Sequence, residues 1–210
     1  PEDDASPQDR ERAAQQRQKQ VTLNDVLEKS AHAYMKHLKG SPRAVAYLKG
    51  RGLSGEIAKT FGLGYAPEGW RSLASVFPAY DDPLLEESGL VIVNDEDGGK
   101  RYDRFRDRIV FPIHDARGRV VGFGGRVLDR GEPKYLNSPE TPVYSKSRVL
   151  YGLSWAKDAM AREKRAVLME GYLDVARAIE HGVLGAVATC GTALTGQHAR
   201  RQEPDEEHLD

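Results

Sequence analysis

The sequence predicts an α/β protein of the α+β type, in which a helical and antiparallel-β part precedes a βαβ unit. Three observations predict this class. Apolar residues recur at helical spacing over residues 21 to about 90, and short apolar runs separated by turn residues follow over 89–128. A β run, a helical run and a second β run then occupy 166–190. Each of these periods is typical of one kind of element.

The composition sets limits on the class of protein. The chain has 210 residues, of which 39% are hydrophobic and 30% charged, so it can bury a core and suits one large domain or two small ones. No run approaches the roughly 20 apolar residues that cross a bilayer, and no signal segment opens the chain, so we expect a cytoplasmic protein. The single cysteine, Cys190, excludes an internal disulfide and should be a reduced core residue. The six histidines form no zinc-binding pattern.

The formal net charge of −1 conceals an uneven distribution. Residues 1–9 hold four acidic residues and 202–210 hold five, with no Lys or Arg in either, which leaves 31 basic and 23 acidic residues in 10–201. Residues 100–150 contain twelve Lys or Arg against six acids, interleaved with six aromatic residues: Tyr102, Phe105, Phe111, Phe123, Tyr135 and Tyr144. This pattern favours a surface for polyphosphate or nucleic acid, with a merely solvated charged face as the alternative.

The first third of the chain is expected to be helical. Residues 1–20 are polar and are interpreted as a linker or lead-in. Thr22 and Asp25 resemble a capping box, and the apolar stripe that follows ends at Gly40. Ser41 with Pro42 predicts a second helix that Gly50 ends, and Ser54 predicts a third. The stretch "GLGYAPEGW" then predicts a loop.

Strands are expected in the middle of the chain. The stretch "GLVIVNDEDGGKRYDRF" predicts two strands joined at a Gly-Gly turn, and "RIVFPIHDARGRVVGFGGRVL" predicts a second pair around residues 115–118. Residues 131–153 are rich in Pro, Ser and other polar residues and predict a long loop, which is often functional. Residues 154–163 should form a short helix. The glycines of "GFGG", 122–125, either relieve strain in a twisted strand or admit phosphate close to the backbone, and do not complete a dinucleotide fingerprint.

The βαβ unit contains the candidate functional corner. "RAVLM" and "GAVATC" predict parallel strands on either side of the helix "YLDVARAIEHG". Glu170 therefore falls at the carboxyl end of a strand, where open α/β sheets bind ligands, and Gly171 allows a sharp backbone turn. A carboxylate there suits Mg²⁺, which prefers oxygen ligands. The alternative is that Glu170 interacts only with the helix dipole.

Long motifs in this chain resemble the RNA-polymerase domain of bacterial replicative DNA primases of the DnaG type. The likeness runs from about Val21 to about Arg200. The resemblance implies that residues 166–201 begin a Toprim metal-binding fold, that 21–165 form the basic amino-terminal subdomain, and that 202–210 are an acidic tail. The motifs that carry it are "RGLS" (51–54), "FGLGYAPEGW" (61–70), "RFRDRIVFPIHDARGRVVGFGGRVL" (104–128), "PKYLNSPETPVYSKSRVLYGL" (133–153) and "EGYLDVARAIEHGVLGAVATCGTALT" (170–195).

The resemblance also implies an activity. Such primases are nucleotidyltransferases that synthesise short RNA primers on single-stranded DNA during replication: a ribonucleotide 3′-OH attacks the α-phosphate of the next NTP, and divalent Mg²⁺ or Mn²⁺ is required. The implied partners are single-stranded DNA, NTPs, the RNA primer and, for the full-length family, the replicative helicase. The implied location is the replication fork on the nucleoid.

The family motifs imply particular site residues. Glu170 matches the first acidic residue of the Toprim motif, as a metal ligand or an aid to activating the 3′-OH. Asp174, one helical turn later, has either a direct role or a capping or salt-bridge role. Arg and Lys suit phosphate, and an exposed Tyr can stack on a base. The residues matching the family's nucleotide- and DNA-binding positions are Arg51, Arg126, Lys134, Tyr135, Asn137 and Lys146.

The chain departs from the family pattern in three respects. It has no Cys/His set for the amino-terminal zinc ribbon, so no zinc is expected, and no residues for the helicase-binding domain. The Toprim fold also needs a second acidic pair on a later strand, whereas "GQHARRQEPDEEHLD" contains no apolar strand. We therefore expect a truncated Toprim unit with doubtful activity by itself. The alternative function is a catalytically inactive module that binds single-stranded DNA or nucleotides.

Overall fold

The computed structural model describes residues 6–200. The acidic tail at 202–210 and the acids at positions 2–4 lie outside the described residues. Helices and mainly antiparallel strands make up the described chain, which confirms the α+β class. No helix within these residues is both long enough and apolar enough to cross a membrane.

The first helix, α1, spans Pro7–Lys39. Ser6 caps it, since the Asp9 amide donates to the Ser6 hydroxyl at 3.1 Å. The expectation of a lead-in that ends at residue 20 was therefore wrong for 7–20, where Ala, Gln, Arg and Lys are good helix formers. The capping box was wrong as well, because the Thr22 hydroxyl donates back to the Gln18 carbonyl at 3.0 Å. The buried face of α1 begins only at Leu23.

The next two helices follow the predicted signals. Helix α2 spans Pro42–Gly50 and α3 spans Gly55–Thr60. The Ser41 hydroxyl accepts from the Ala44 amide at 3.3 Å, and the Ser54 hydroxyl accepts from the Ile57 amide at 3.1 Å. Both predicted caps are confirmed. A short helix, α4, spans Pro83–Glu87.

The main sheet has four antiparallel strands. They are β1 (Gly64–Ala66), β4 (Arg108–His114), β5 (Val120–Val127) and β6 (Tyr135–Asn137), hydrogen-bonded in the order β1-β4-β5-β6. A separate hairpin pairs β2 (Val91–Asn94) with β3 (Lys100–Asp103). Both predicted strand pairs are confirmed. Strands β1 and β6 were expected to be loop; each has three residues, too few to display an alternating pattern.

The last part of the chain confirms the βαβ unit. Strand β8 (Val167–Met169), helix α6 (Tyr172–Glu180) and strand β9 (Ala186–Thr189) follow in order, with β8 parallel to β9. Strand β7 (Leu150–Tyr151) pairs antiparallel with β9 and lies in the expected long loop. Helix α5 (Leu153–Glu163) confirms the helix expected at 154–163, and α7 (Gly196–Arg200) follows β9.

A continuous apolar core joins the main sheet to the βαβ unit. The Tyr172 ring lies 5.4 Å from the Phe111 ring and 4.7 Å from the Tyr151 ring, centroid to centroid. Cys190 is fully buried and unpaired, as expected for a core thiol. The candidate site therefore lies where these two parts are packed together.

The "GFGG" glycines leave space for neighbouring side chains to pack against β5. A Cβ atom on Gly124 would overlap the ring of Tyr172, and one on Gly125 would lie 2.8 Å from Phe105. Both positions are buried, so the expectation that these glycines admit phosphate close to the backbone was wrong. Their physical role is to let aromatic rings approach β5.

Candidate nucleotide and nucleic-acid site

Glu170 lies at the carboxyl end of β8, immediately before the amino end of α6. Gly171 is the N-cap residue of that helix and makes no side-chain cap. Glu170 is exposed, and the end of the parallel neighbour β9 lies beside it. A pocket of about 150 Å³ opens at this edge; it is lined by Tyr135, Asn137, Glu170, Gly171, Tyr172, Thr189 and Gly191.

Strand β6 brings two further predicted residues to this pocket. The Tyr172 hydroxyl donates to Asn137 Oδ1 at 2.6 Å, which holds the Asn137 amide against the start of α6. A Cβ atom on Gly171 would lie 3.7 Å from the Tyr135 hydroxyl. Tyr135 and Asn137 are far from Glu170 in sequence, and the fold places all three around one pocket.

A row of cations and aromatic rings extends from the pocket. Arg126 stands opposite Tyr135 in the β5–β6 register, and its Nε donates to the Tyr135 hydroxyl at 3.0 Å. The Arg126 guanidinium carbon lies 5.4 Å from the centre of the Tyr47 ring, and that of Arg51 lies 5.2 Å from the same ring. Lys134 Nζ is 6.0 Å from the Tyr135 ring. We call Arg51, Tyr47, Arg126, Tyr135 and Lys134 the cation–aromatic row.

Tyr47 was missed by the sequence reasoning. It lies in α2, where its ring is half-buried between the guanidinium groups of two predicted site residues. Cations within about 6 Å of a ring centroid are attracted to its face. Its position in an amphipathic helix favours a core role, so no local signal separated Tyr47 from an ordinary packing residue.

Lys146 lies apart from the cation–aromatic row, in the segment before β7. It is half-buried and does not line the 150 Å³ pocket. Burial raises the pKa of the Cys190 thiol to about 11, and the nearby Lys146 charge is among the groups that oppose this rise. Lys146 therefore lies near Cys190, which follows β9, and outside the pocket that Glu170 lines.

The environment of Asp174 corrects one expectation. This carboxylate is in the first turn of α6 and is exposed. Among residues 6–200 it has neither a capping hydrogen bond nor a salt bridge, so the expected cap or ion-pair role is wrong. Its Oδ2 would lie 3.2 Å from a Cβ on Gly171, so it points back toward the corner that carries Glu170.

The oxygen ligands at this corner are few. Nowhere in the described part of the chain are three or more His, Cys, Asp or Glu side chains grouped so as to hold a metal ion. Mg²⁺ is commonly held by one or two carboxylates, with waters and substrate phosphates as its other ligands. An exposed carboxylate at a strand end, with a second one on the next helical turn, fits that mode of binding.

A second cationic and aromatic cluster lies on the hairpin side of the main sheet. The Arg106 guanidinium stacks 4.1 Å from the exposed Trp70 ring and 5.1 Å from Tyr102. Beside it, a cleft of about 320 Å³ is lined by four arginines: Arg104, Arg106, Arg108 and Arg130. Three of these alternate in "RFRDR", which is a sequence signal, but the contact with Trp70 depends on the fold.

An α+β fold with a carboxylate at a βα corner, beside rows of cations and aromatic rings, is typical of the class of proteins that bind polyphosphate or nucleic acid. Residues 32–157 match the family described as the DNA primase catalytic core, N-terminal domain. This match covers more than half of the chain, and the chain belongs to that family. The resemblance stated from the motifs is thereby confirmed.

Curated relatives agree with the family match. A DNA primase from Legionella pneumophila is 47% identical over 191 residues, which is 90% of this chain and 33% of the relative. A DNA primase from Pseudomonas aeruginosa is 48% identical over 184 residues, which is 85% of this chain and 28% of the relative. The chain thus spans a third or less of the length of these relatives.

Solved structures share the fold. A DnaG primase catalytic domain bound to ssDNA has a TM-score of 0.80 and 41% identity, covering 90% of this chain and 59% of that chain. A DNA primase domain from Pseudomonas aeruginosa has a TM-score of 0.80 and 48% identity, covering 86% and 57%. The RNA polymerase domain of Mycobacterium tuberculosis primase DnaG, in complex with a double-stranded DNA oligomer with a 6-nucleotide overhang, has a TM-score of 0.78 and 38% identity, covering 86% and 57%.

Proposed function

We propose that this chain forms the template- and nucleotide-holding part of a primase catalytic core, which synthesises RNA primers on single-stranded DNA. The observation that carries the proposal is the convergence of Tyr135, Asn137 and Glu170 on one pocket at the ends of β8 and β9. The cation–aromatic row beside that pocket supplies the positive charge that NTPs require. The primer and a replicative helicase would be partners of the whole protein.

Glu170 is the residue that would hold Mg²⁺ or Mn²⁺. Its exposed carboxylate offers oxygen ligands, and Asp174 lies one turn away to orient waters around them. The ion, when bound, supplies positive charge that stabilises the attacking and leaving oxygens of nucleotidyl transfer. A single exposed carboxylate leaves most ligand positions to water, phosphate oxygens or further carboxylates.

Different basic residues would bind the triphosphate and the single-stranded template. Arg51 is exposed and held against the Tyr47 ring, so its planar fork presents preorganised donors to triphosphate oxygens. The nearly buried Arg126 contacts the same ring and would add positive charge behind it. Tyr135 is 38% exposed and offers a face for a base or ribose. The Trp70–Arg106–Tyr102 stack and its arginine-lined cleft suit a single strand, because bases stack on aromatic rings while arginines bind phosphates.

Primer synthesis tests the catalytic part of this proposal. The chain would be joined to the remaining catalytic-core residues of the Pseudomonas aeruginosa primase and assayed with a single-stranded template, NTPs and Mg²⁺ or Mn²⁺. Glu170→Gln keeps the size of the side chain but removes its charge, so it should abolish synthesis and leave template affinity nearly unchanged. Glu163→Gln is the control, because Glu163 is an exposed residue at the end of α5 that pairs with Arg165.

A binding-only module is the second candidate function. It is favoured because the described residues place many cations near the pocket but few carboxylates at the βα corner that carries Glu170. Under this candidate, the joined protein binds a fluorescein-labelled oligodeoxynucleotide but makes no primer with either metal. In both cases the affinity for DNA should fall steeply as salt rises, because phosphate contacts release counterions. An affinity for DNA that does not change with salt would contradict binding of phosphates by these basic residues.

A further inference from the structure

We infer that His198 is a positioning residue that fixes the backbone of Lys146; this rests on the proposed function and on the nucleotide- or DNA-binding role that the family motifs imply for Lys146. His198 lies in α7 and is only 1% exposed. Its Nε2 lies 2.8 Å from the Lys146 carbonyl oxygen. Its Nδ1 lies 2.9 Å from the Thr195 amide, which donates to it.

These contacts determine the tautomer of the imidazole ring. A backbone N–H can only donate, so Nδ1 must be an unprotonated acceptor toward Thr195. A carbonyl can only accept, so Nε2 must carry the hydrogen that binds the Lys146 carbonyl. Both ring nitrogens are therefore used, and the ring connects α7 directly to the backbone of Lys146.

Further hydrogen bonds fasten the same segment. The Thr195 hydroxyl donates to the Ser147 carbonyl at 2.9 Å, and the Ser147 hydroxyl donates to Gln197 Oε1 at 3.0 Å. On the other side, the Lys146 amide donates to Glu140 Oε1 at 2.8 Å. Both backbone polar groups of Lys146 are thus held by side chains.

Such anchoring matters because Lys146 lies outside regular secondary structure. No strand or helix covers residues 138–149, so no ladder of backbone hydrogen bonds sets the direction of its side chain. A lysine has four rotatable bonds, and a phosphate contact from a mobile backbone costs more ordering entropy than one from a fixed backbone. His198 removes part of that cost by holding the backbone from which the Lys146 ammonium extends.

Two substitutions separate the contacts of the ring. The amide nitrogen of a glutamine side chain reaches the position of histidine Nε2, so His198→Gln should keep the donor to the Lys146 carbonyl. The shorter asparagine places its amide oxygen near the position of Nδ1, so His198→Asn should keep the acceptor for Thr195 and lose the bond to Lys146. The two variants are matched polar replacements on the same buried position.

Hydrogen–deuterium exchange and binding would be measured on the full chain. We expect His198→Asn to speed exchange in residues 141–149, with His198→Gln close to the wild type. Binding of a fluorescein-labelled oligodeoxythymidylate and of mant-ATP with Mg²⁺ would be compared with Lys146→Ala. His198→Asn should weaken binding about fivefold in the assay that Lys146→Ala weakens, which is the effect of losing about one hydrogen bond. The double variant should bind no more weakly than Lys146→Ala.

The outcomes separate this inference from the proposed function. Unchanged exchange in His198→Asn, equal loosening in both variants, or losses that add in the double variant would each overturn the positioning role. If Lys146→Ala weakens neither assay while exchange behaves as expected, the binding role proposed for Lys146 fails, and His198 anchors a segment that takes no part in binding. A thermal unfolding curve for each variant distinguishes local loosening from global unfolding.

Discussion

Arg126 donates from Nε to the hydroxyl of Tyr135 at 3.0 Å across a register pair of β5 and β6. Arg126 is only 6% exposed, whereas Tyr135 is 38% exposed, so a buried cation is tied to a surface ring. Because the two residues stand opposite each other in an antiparallel ladder, their distance is set by the sheet and not by loop geometry. Tyr135 is the member of this pair that lines the same pocket as Glu170 and Asn137.

Replacing Arg126 with lysine tests whether the planar guanidinium is needed. Arg126→Lys keeps the positive charge but loses the fork that contacts Tyr47 and Tyr135. We expect affinity for labelled single-stranded DNA or mant-ATP to fall about five- to tenfold, measured by fluorescence anisotropy. Arg162→Lys, at an exposed position on α5, is the control and should change affinity little. If Arg126→Lys changes the affinity as little as the control does, positive charge alone is sufficient at this position.

Substitutions of Tyr47 test the ring between the two arginines. Tyr47→Leu removes the aromatic face that both guanidinium groups contact and should weaken binding several-fold by freeing Arg51 and Arg126. Tyr47→Phe keeps the ring. It removes a buried hydroxyl that has no hydrogen-bond partner among the described residues, so affinity should be unchanged and stability equal or higher. The prediction fails if the two variants bind alike.

Gly124 is predicted to tolerate no side chain. Gly124→Ala places a methyl group against the Tyr172 ring and should lower the free energy of unfolding by about 1–3 kcal/mol, measured by urea denaturation. Gly55→Ala is the control, since nothing lies within 4 Å of a Cβ there. In a double-mutant cycle, Gly124→Ala should lower the free energy of unfolding less in the Tyr172→Leu background than in the wild type. Strictly additive losses would show that the ring does not lie on Gly124.

Asp107 is predicted to contribute to stability only above acidic pH. Its carboxylate accepts from Arg43 Nη1 and from the Tyr65 hydroxyl, each at 2.7 Å. Burial acts to raise the pKa of Asp107, but these hydrogen bonds prevail and hold the pKa below its ordinary 3.8. A carboxyl group whose pKa is lowered in the folded state stabilises that state above the unfolded pKa. This contribution is lost as the pH falls through the folded pKa.

The test of Asp107 is the pH dependence of unfolding. Between pH 7 and pH 3, Asp107→Asn should lose less unfolding free energy than the wild type, because the variant has no carboxylate to protonate at this site. Asp129→Asn is the control, since Asp129 also pairs with Arg43 but is much more exposed, so its effect on the slope should be smaller. If the unfolding free energy of Asp107→Asn falls with pH as steeply as that of the wild type, the contribution predicted for Asp107 is wrong.

Much of the fold could be predicted from local sequence. Caps at Ser41 and Ser54, the Gly-Gly turn and the βαβ periodicity each involve residues within a few positions of one another, so their signals survive in a single sequence. The same holds for Glu170, whose place at a strand end follows from the order of strand, turn and helix. Strands β1 and β6 could not be predicted, because each is three residues long, lies among turn-forming or polar residues, and becomes a strand only by pairing with a distant partner.

For the site, the sequence by itself determined the chemical character of its members: a carboxylate at a βα corner, basic residues with interleaved aromatics, and motifs typical of primase catalytic cores. Only the tertiary structure decided which of them meet. It gathered Tyr135 and Asn137 around Glu170, left Lys146 outside that pocket, inserted the unpredicted Tyr47 between Arg51 and Arg126, and attached His198 to the Lys146 backbone. The reason is that residue type and local period are written along the chain, whereas contacts across tens of residues depend on sheet register and on packing between elements.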